Sequence, residues 1–219
     1  MRFRTAAIVS TLALLAACGK DSTTAPVATG PSGTYRGTFV GSNSRGIVLI
    51  IFSSPGATAV TGSLALTGGA TINLAGSYTP SSKGVNLTGT GYAVTGSYTA
   101  SSSHFAGDYT GPSGDHGSWA VESGTVKVFC GSYNGNAAGN WNLVLNDAGQ
   151  LRGIAQTSSG AIDLVGTYNS GSGAITITSP DDGTIGASGT LNTSTGGGTG
   201  NWSISGQTAG NWTANTSGC

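Results

Sequence analysis

Charge is scarce in this chain. Only 7% of its 219 residues are charged, and Lys and Arg together number 8 against 8 Asp and Glu. That balance leaves no basic field for phosphates and excludes a nucleic-acid partner. Histidine is scarcer still, at two residues. Strong helix formers are few beyond the first twenty residues, which argues against a helical bundle. The apolar run near the start, Ala6 to Ala17, is too short to span a bilayer as a permanent helix. The apolar fraction of 37% is modest, yet too evenly spread for a disordered chain. What is abundant is glycine, with 39 residues; Ser and Thr bring the three to roughly 45% of the chain. No Gly-X-Y period runs through them, which excludes a collagen-like chain.

The first residues read as an address. Arg2 and Arg4 precede the apolar run, which ends in Leu15-Ala16-Ala17-Cys18. That tetrapeptide resembles the lipobox of bacterial lipoproteins. The resemblance implies a signal peptide over 1–17, cleavage before Cys18, and a diacylglycerol on its thiol. Acylation would anchor the protein to a membrane of the cell envelope. Gly19 after the cysteine, where Asp would retain the protein at the inner membrane, favours the outer membrane, on its periplasmic or surface-exposed side. Residues 18–32, CGKDSTTAPVATGPS, carry no hydrophobic period and read as a flexible tether behind the lipidated cysteine.

From Gly33 onward, apolar residues alternate with Ser, Thr, Asn and Gly, as in Ile72-Leu74-Gly76-Tyr78 and Ile162-Leu164-Gly166-Tyr168. A period of two means strands with one buried face. Turn signals such as Gly68-Gly69, Asp147-Ala148-Gly149 and Asp181-Asp182-Gly183 separate them at the spacing of an antiparallel meander. Ile47 to Phe52 is apolar on both faces and predicts a strand covered on both sides, at a contact between halves.

The halves repeat. Gly33-Thr34-Tyr35 is paired with Gly131-Ser132-Tyr133, Gly76-Ser77-Tyr78 with Gly166-Thr167-Tyr168, Gly107-Asp108-Tyr109 with Gly200-Asn201-Trp202, and Gly117-Ser118-Trp119 with Gly210-Asn211-Trp212. This predicts two tandem units, 33–124 and 125–219, each with up to eight short strands. The fold class is therefore all-β, two tandem short-stranded antiparallel meander barrels. The alternative is one larger barrel or sandwich made from both halves.

Eleven of the sixteen aromatic residues stand two positions after a glycine. Residues i and i+2 share a strand face, so each pair places a bend and a ring inside. Bending of this kind closes a sheet into a barrel. With Cys18 assigned to lipid, Cys130 and Cys219 remain, and an even pair outside the cytoplasm predicts a disulfide. It would tie the first strand of the second unit to the end of the last. The first unit has no such bond and is expected to be the less stable half.

A Gly-x-Trp/Tyr meander resembles avidin-type and lipocalin-type barrels in general. Phe105-Ala106-Gly107-Asp108-Tyr109-Thr110-Gly111-Pro112 with Gly117-Ser118-Trp119 is similar to barrel strands of transferrin-binding-type surface lipoproteins. These resemblances imply binding, of an unknown small molecule or a protein partner.

The chemistry-bearing residues are few. His104, Asp108, Asp115 and His116 form the most polar stretch and are the candidate polar or ligand cluster. No HxH or HxxxH spacing marks a metal site, and no Gly-x-Ser-x-Gly elbow marks a nucleophile. No catalytic residue, metal ligand or cofactor is assigned. The expected role is a non-catalytic binding or structural module of the envelope. A small-molecule or carbohydrate-binding barrel is the alternative, and a hydrolase or metal-binding protein using 104–122 is the remaining one.

Overall fold

The structure, a computed structural model, describes residues 30–215 and Cys219. The expected signal peptide, Cys18 and most of the expected tether lie outside the described residues. Among the described residues sixteen strands follow one another. The first eight are β1 (Gly33–Gly41), β2 (Arg45–Phe52), β3 (Ala59–Leu66), β4 (Thr71–Thr79), β5 (Gly84–Gly89), β6 (Tyr92–Thr99), β7 (His104–Thr110) and β8 (His116–Ser123). The second eight are β9 (Lys127–Gly135), β10 (Gly139–Leu145), β11 (Gln150–Thr157), β12 (Gly160–Tyr168), β13 (Ala174–Thr178), β14 (Ile185–Leu191), β15 (Gly198–Ile204) and β16 (Gln207–Ala214). Each set is an antiparallel meander that closes on itself, β1 pairing with β8 and β9 with β16. The protein is two closed eight-stranded barrels in tandem, not one larger barrel.

The hairpins obey the local chemistry. Thr90-Gly91 and Ser205-Gly206 both sit at positive φ (39° and 81°, 49° and 77°), the two-residue turn whose twist matches its strands.

The strand register revises one of the four correspondences. Tyr133 faces Gly139 and Trp212 across its neighbouring strands, as Phe39 faces Gly46 and Trp119. The counterpart of Gly131-Ser132-Tyr133 is thus Gly37-Thr38-Phe39, four residues later than Gly33-Thr34-Tyr35. The other three stand: Gly76 and Gly166, Gly107 and Gly200, and Gly117 and Gly210 occupy matching registers. Sequence identity misled here because Gly-x-aromatic occurs twice in β1.

The glycines have a specific mechanical role. A methyl on Gly107 would overlap the inward-turned carbonyl of Thr95, and one on Gly200 that of Ser188. Those carbonyls are taken by indole N–H groups: Trp119 Nε1 donates to Thr95 O and Trp212 Nε1 to Ser188 O, both at 3.0 Å. Trp202 does the same for Asn134 O (2.7 Å) beside Gly210, and Tyr133 Oη for Gln156 O (3.0 Å) beside Gly139. Each ring covers a bare glycine on a nearby strand and adds a side-chain donor to the carbonyl beside it.

The barrels also share a packed boundary. Val40 of β1, Ala120 of β8, Val144 of β10 and Ile154 of β11 are buried but belong to neither barrel interior. β1 and β8 carry most of the contact from the first barrel, and β10 and β11 from the second. Between them Asn142, fully buried, donates to Thr38 Oγ1 (2.5 Å) and Phe39 O (3.1 Å). Arg152 pairs with Glu122 at 2.7 Å, and Asn146 Nδ2 donates to the other Glu122 oxygen. β2 is not the contact strand that its two-sided apolarity predicts. Arg45, at its start, reaches Gly131 O and Asn140, while Ile51 is exposed.

Cys130 and Cys219 form a disulfide. It joins β9 to the chain that follows β16, where Asn215 N continues the ladder to Cys130 O. By chain-entropy reasoning a loop of 89 residues stabilises by about 4.6 kcal/mol. Denatured, unreduced protein is therefore expected to take no alkylating reagent at Cys130 or Cys219, and two equivalents after reduction. Alkylation of either before reduction would refute the bond.

Candidate functional site

The two barrels differ inside. The first is filled. Tyr35, Phe52, Tyr78, Tyr98 and Phe105 form a ring cluster with centroids 4.8–6.1 Å apart, and Leu64 and Val94 pack above it. Its end at the β1–β2 turn is latched by Asp115, only 3% exposed. That carboxylate accepts from Asn43 N (2.8 Å), Ser42 Oγ (3.1 Å), Tyr109 Oη (3.2 Å) and Ser44 Oγ. Burial works against its charge, but these donors prevail and hold it below the ordinary carboxylate range.

The second barrel contains a cavity of about 350 Å³, open at the end bearing the β9–β10, β11–β12, β13–β14 and β15–β16 turns. The volume lies at the lower end of the range for small-molecule pockets. Tyr133, Trp141, Trp202 and Trp212 line one half, on the contiguous strands β15, β16, β9 and β10. They stand in two edge-to-face pairs, Tyr133 with Trp202 at 5.6 Å and Trp141 with Trp212 at 5.5 Å. Ile162, Leu164, Ile175, Ile177 and Ile185, on β12 to β14, line the other half. Phe129, Leu145, Leu151 and Leu191 are buried and close it below.

The register shows where the space comes from. Ala155 pairs with Trp141 as Leu64 pairs with Val48, and Ala187 pairs with Ile177 as Val94 pairs with Leu87. At these two positions, both lining the cavity, the side chains that fill the first barrel are shortened. The latch is missing too: Asn136-Ala137-Ala138 stand where Ser42-Asn43-Ser44 do, and Thr208 where Asp115 does. The mouth carries Thr157, Ser158, Ser159 and Asp182. Asp182 is held below the ordinary carboxylate range by the side-chain and backbone donors of Thr184.

The polar stretch of the first barrel is not drawn together. His104 opens β7 and pairs in register with Glu122, while His116 opens β8 and pairs with Thr110. Six residues of strand, about 20 Å, separate these two ends. His104 Nδ1 bonds Ser102 Oγ at 2.7 Å, and burial, then the Arg152 charge, hold its pKa below the usual value. Asp108 accepts from Ser118 Oγ on the outer wall, and His116 is exposed with its ring against Gly114 O. Asp115 is the latch. Among the described residues no three His, Cys, Asp or Glu are placed to hold a metal.

Comparisons with protein-family models, with curated proteins and with solved structures find no match to this chain.

Proposed function

We propose that this is a lipid-anchored binding protein of the bacterial cell envelope, whose second barrel holds a small apolar molecule. One observation carries the binding role. Two barrels share a register, yet one is filled with rings while the other keeps an open cavity of about 350 Å³ lined by three tryptophans. Packing alone would fill both, because an unfilled core loses stability with every missing side chain. The first barrel serves as the rigid partner, joined through the buried Asn142 and Glu122–Arg152 contacts. The disulfide supports the half that has given up core packing. Cys18 in its lipobox-like context supports the anchor, and the outer membrane is its favoured site.

An apolar ligand fits better than a carbohydrate. A sugar needs hydrogen-bond partners along its length, whereas the cavity wall is rings and branched aliphatics, with hydroxyls at the mouth alone.

The test is native mass spectrometry of the protein without its lipid, together with titration by N-phenyl-1-naphthylamine, an uncharged fluorescent probe. Wild type is expected to carry a small-molecule adduct or to bind the probe. Ala155→Leu and Ala187→Val restore the side chains of the first barrel and should each weaken probe binding by about tenfold or more, with the fold intact by circular dichroism. Probe binding unchanged in both variants, or a wild type with neither adduct nor probe binding, would refute the site.

A further inference from the structure

The cavity has a chemical bias that follows from what its walls lack. This inference rests on the binding reading above and concerns which ligands are accepted. Every polar hydrogen of the ring wall is already engaged: Trp141 Nε1 on Ser132 O (3.2 Å), Trp202 Nε1 on Asn134 O, Trp212 Nε1 on Ser188 O and Tyr133 Oη on Gln156 O. A bound molecule therefore meets ring faces and methyl groups and finds no free donor from these residues. Among the described residues no Lys or Arg lines the cavity. An anionic group placed inside would be desolvated without a partner, which costs several kcal/mol.

The mouth reinforces the bias. The β13–β14 turn is three residues longer than its counterpart β5–β6, and the longer turn contains Asp181 and Asp182. Asp182 is at the rim, and Asp181 Oδ2 accepts from Asp163 N on β12. An anion that kept its charge in water at the mouth would still face the Asp182 carboxylate.

Shape adds a second selection. Rings on four neighbouring strands oppose aliphatics on the strands across the barrel, so the interior pairs an aromatic face with a methyl-rich face. The floor stops a long chain from threading through. We infer that the second barrel takes a flat ring compound that is uncharged or cationic, held between the tryptophan wall and the isoleucine wall, and rejects anions, acyl carboxylates included.

A matched pair of probes tests the charge rule. N-phenyl-1-naphthylamine and 1-anilinonaphthalene-8-sulfonate share their rings and differ by one sulfonate. The uncharged probe is expected to bind at least about tenfold more tightly. Asp182→Asn, or 0.5 M salt, should narrow that gap by about twofold, since the carboxylate is exposed and screened. Dodecanol, an uncharged chain, should displace the uncharged probe at least about tenfold less effectively than naphthalene-2-ol. Equal binding of the two probes would overturn the charge rule, and equal displacement by dodecanol would overturn the ring rule, each leaving the binding reading standing. Failure of both probes and of naphthalene-2-ol to bind would overturn the binding reading with it.

Discussion

Gly200→Ala should be among the most damaging single substitutions in this protein, at about 4 kcal/mol. The added methyl would overlap the backbone oxygen of Ser188 and the indole of Trp212. Neither can yield cheaply. The oxygen belongs to a strand paired on both sides, and the indole N–H donates to it as well. Moving the ring would leave its buried N–H without that acceptor. Gly183→Ala is the control, since its methyl would meet nothing within 4 Å. Denaturant unfolding of the two variants provides the comparison. A Gly200→Ala protein as stable as Gly183→Ala would refute the account of why the aromatics follow the glycines. The same reasoning applies to Gly107, whose methyl would overlap Thr95 O beneath Trp119.

Arg152→Ala should cost about 3 kcal/mol, and Glu122→Ala about 1 kcal/mol. The asymmetry follows from exposure. The Glu122 side chain is 5% exposed and the Arg152 side chain 29%. Without Arg152, Glu122 keeps its charge at the barrel boundary with Asn146 as its remaining donor. Without Glu122, the arginine can turn towards water. The Arg152→Ala defect should shrink as pH falls below about 6.5. His104 sits opposite Glu122 in the β7–β8 register, and its proton affinity is lowered by burial and then by Arg152. Removing the guanidinium lets that imidazole take up a proton and repay part of the lost charge pairing. Urea midpoints of both variants at pH 7.5 and pH 5.5 read this. Equal costs for the two, or a defect that does not change with pH, would refute the ion pair as the boundary's electrostatic anchor.

Much of the architecture was legible along the chain because it depends on local periods. Alternation, turn dipeptides and the Gly-x-aromatic unit are decided by the geometry of one strand and its hairpin. They pointed to tandem meander barrels, to inward rings and to the Cys130–Cys219 bond. Two readings failed where partners had to be chosen between strands. Gly33-Thr34-Tyr35 looked like Gly131-Ser132-Tyr133, but the closing strands place Gly37-Thr38-Phe39 there. β2 looked like the contact strand, but β1 and β8 meet the second barrel. The candidate site was less legible still. His104, Asp108, Asp115 and His116 are neighbours in sequence and are parted by the length of a strand in space.

The order of residues sets the construction of each half: short strands, glycine bends, rings turned inward and a bond at the seam. These follow from interactions between residues one or two strands apart, and their spacing is written in the order of residues. Which half is solid and which is hollow was decided by tertiary structure. Ala155 and Ala187 are ordinary residues in a chain rich in small side chains. They acquire meaning when the register sets them against Leu64 and Val94. Volume inside a barrel is a sum over eight strands, so no single segment carries it.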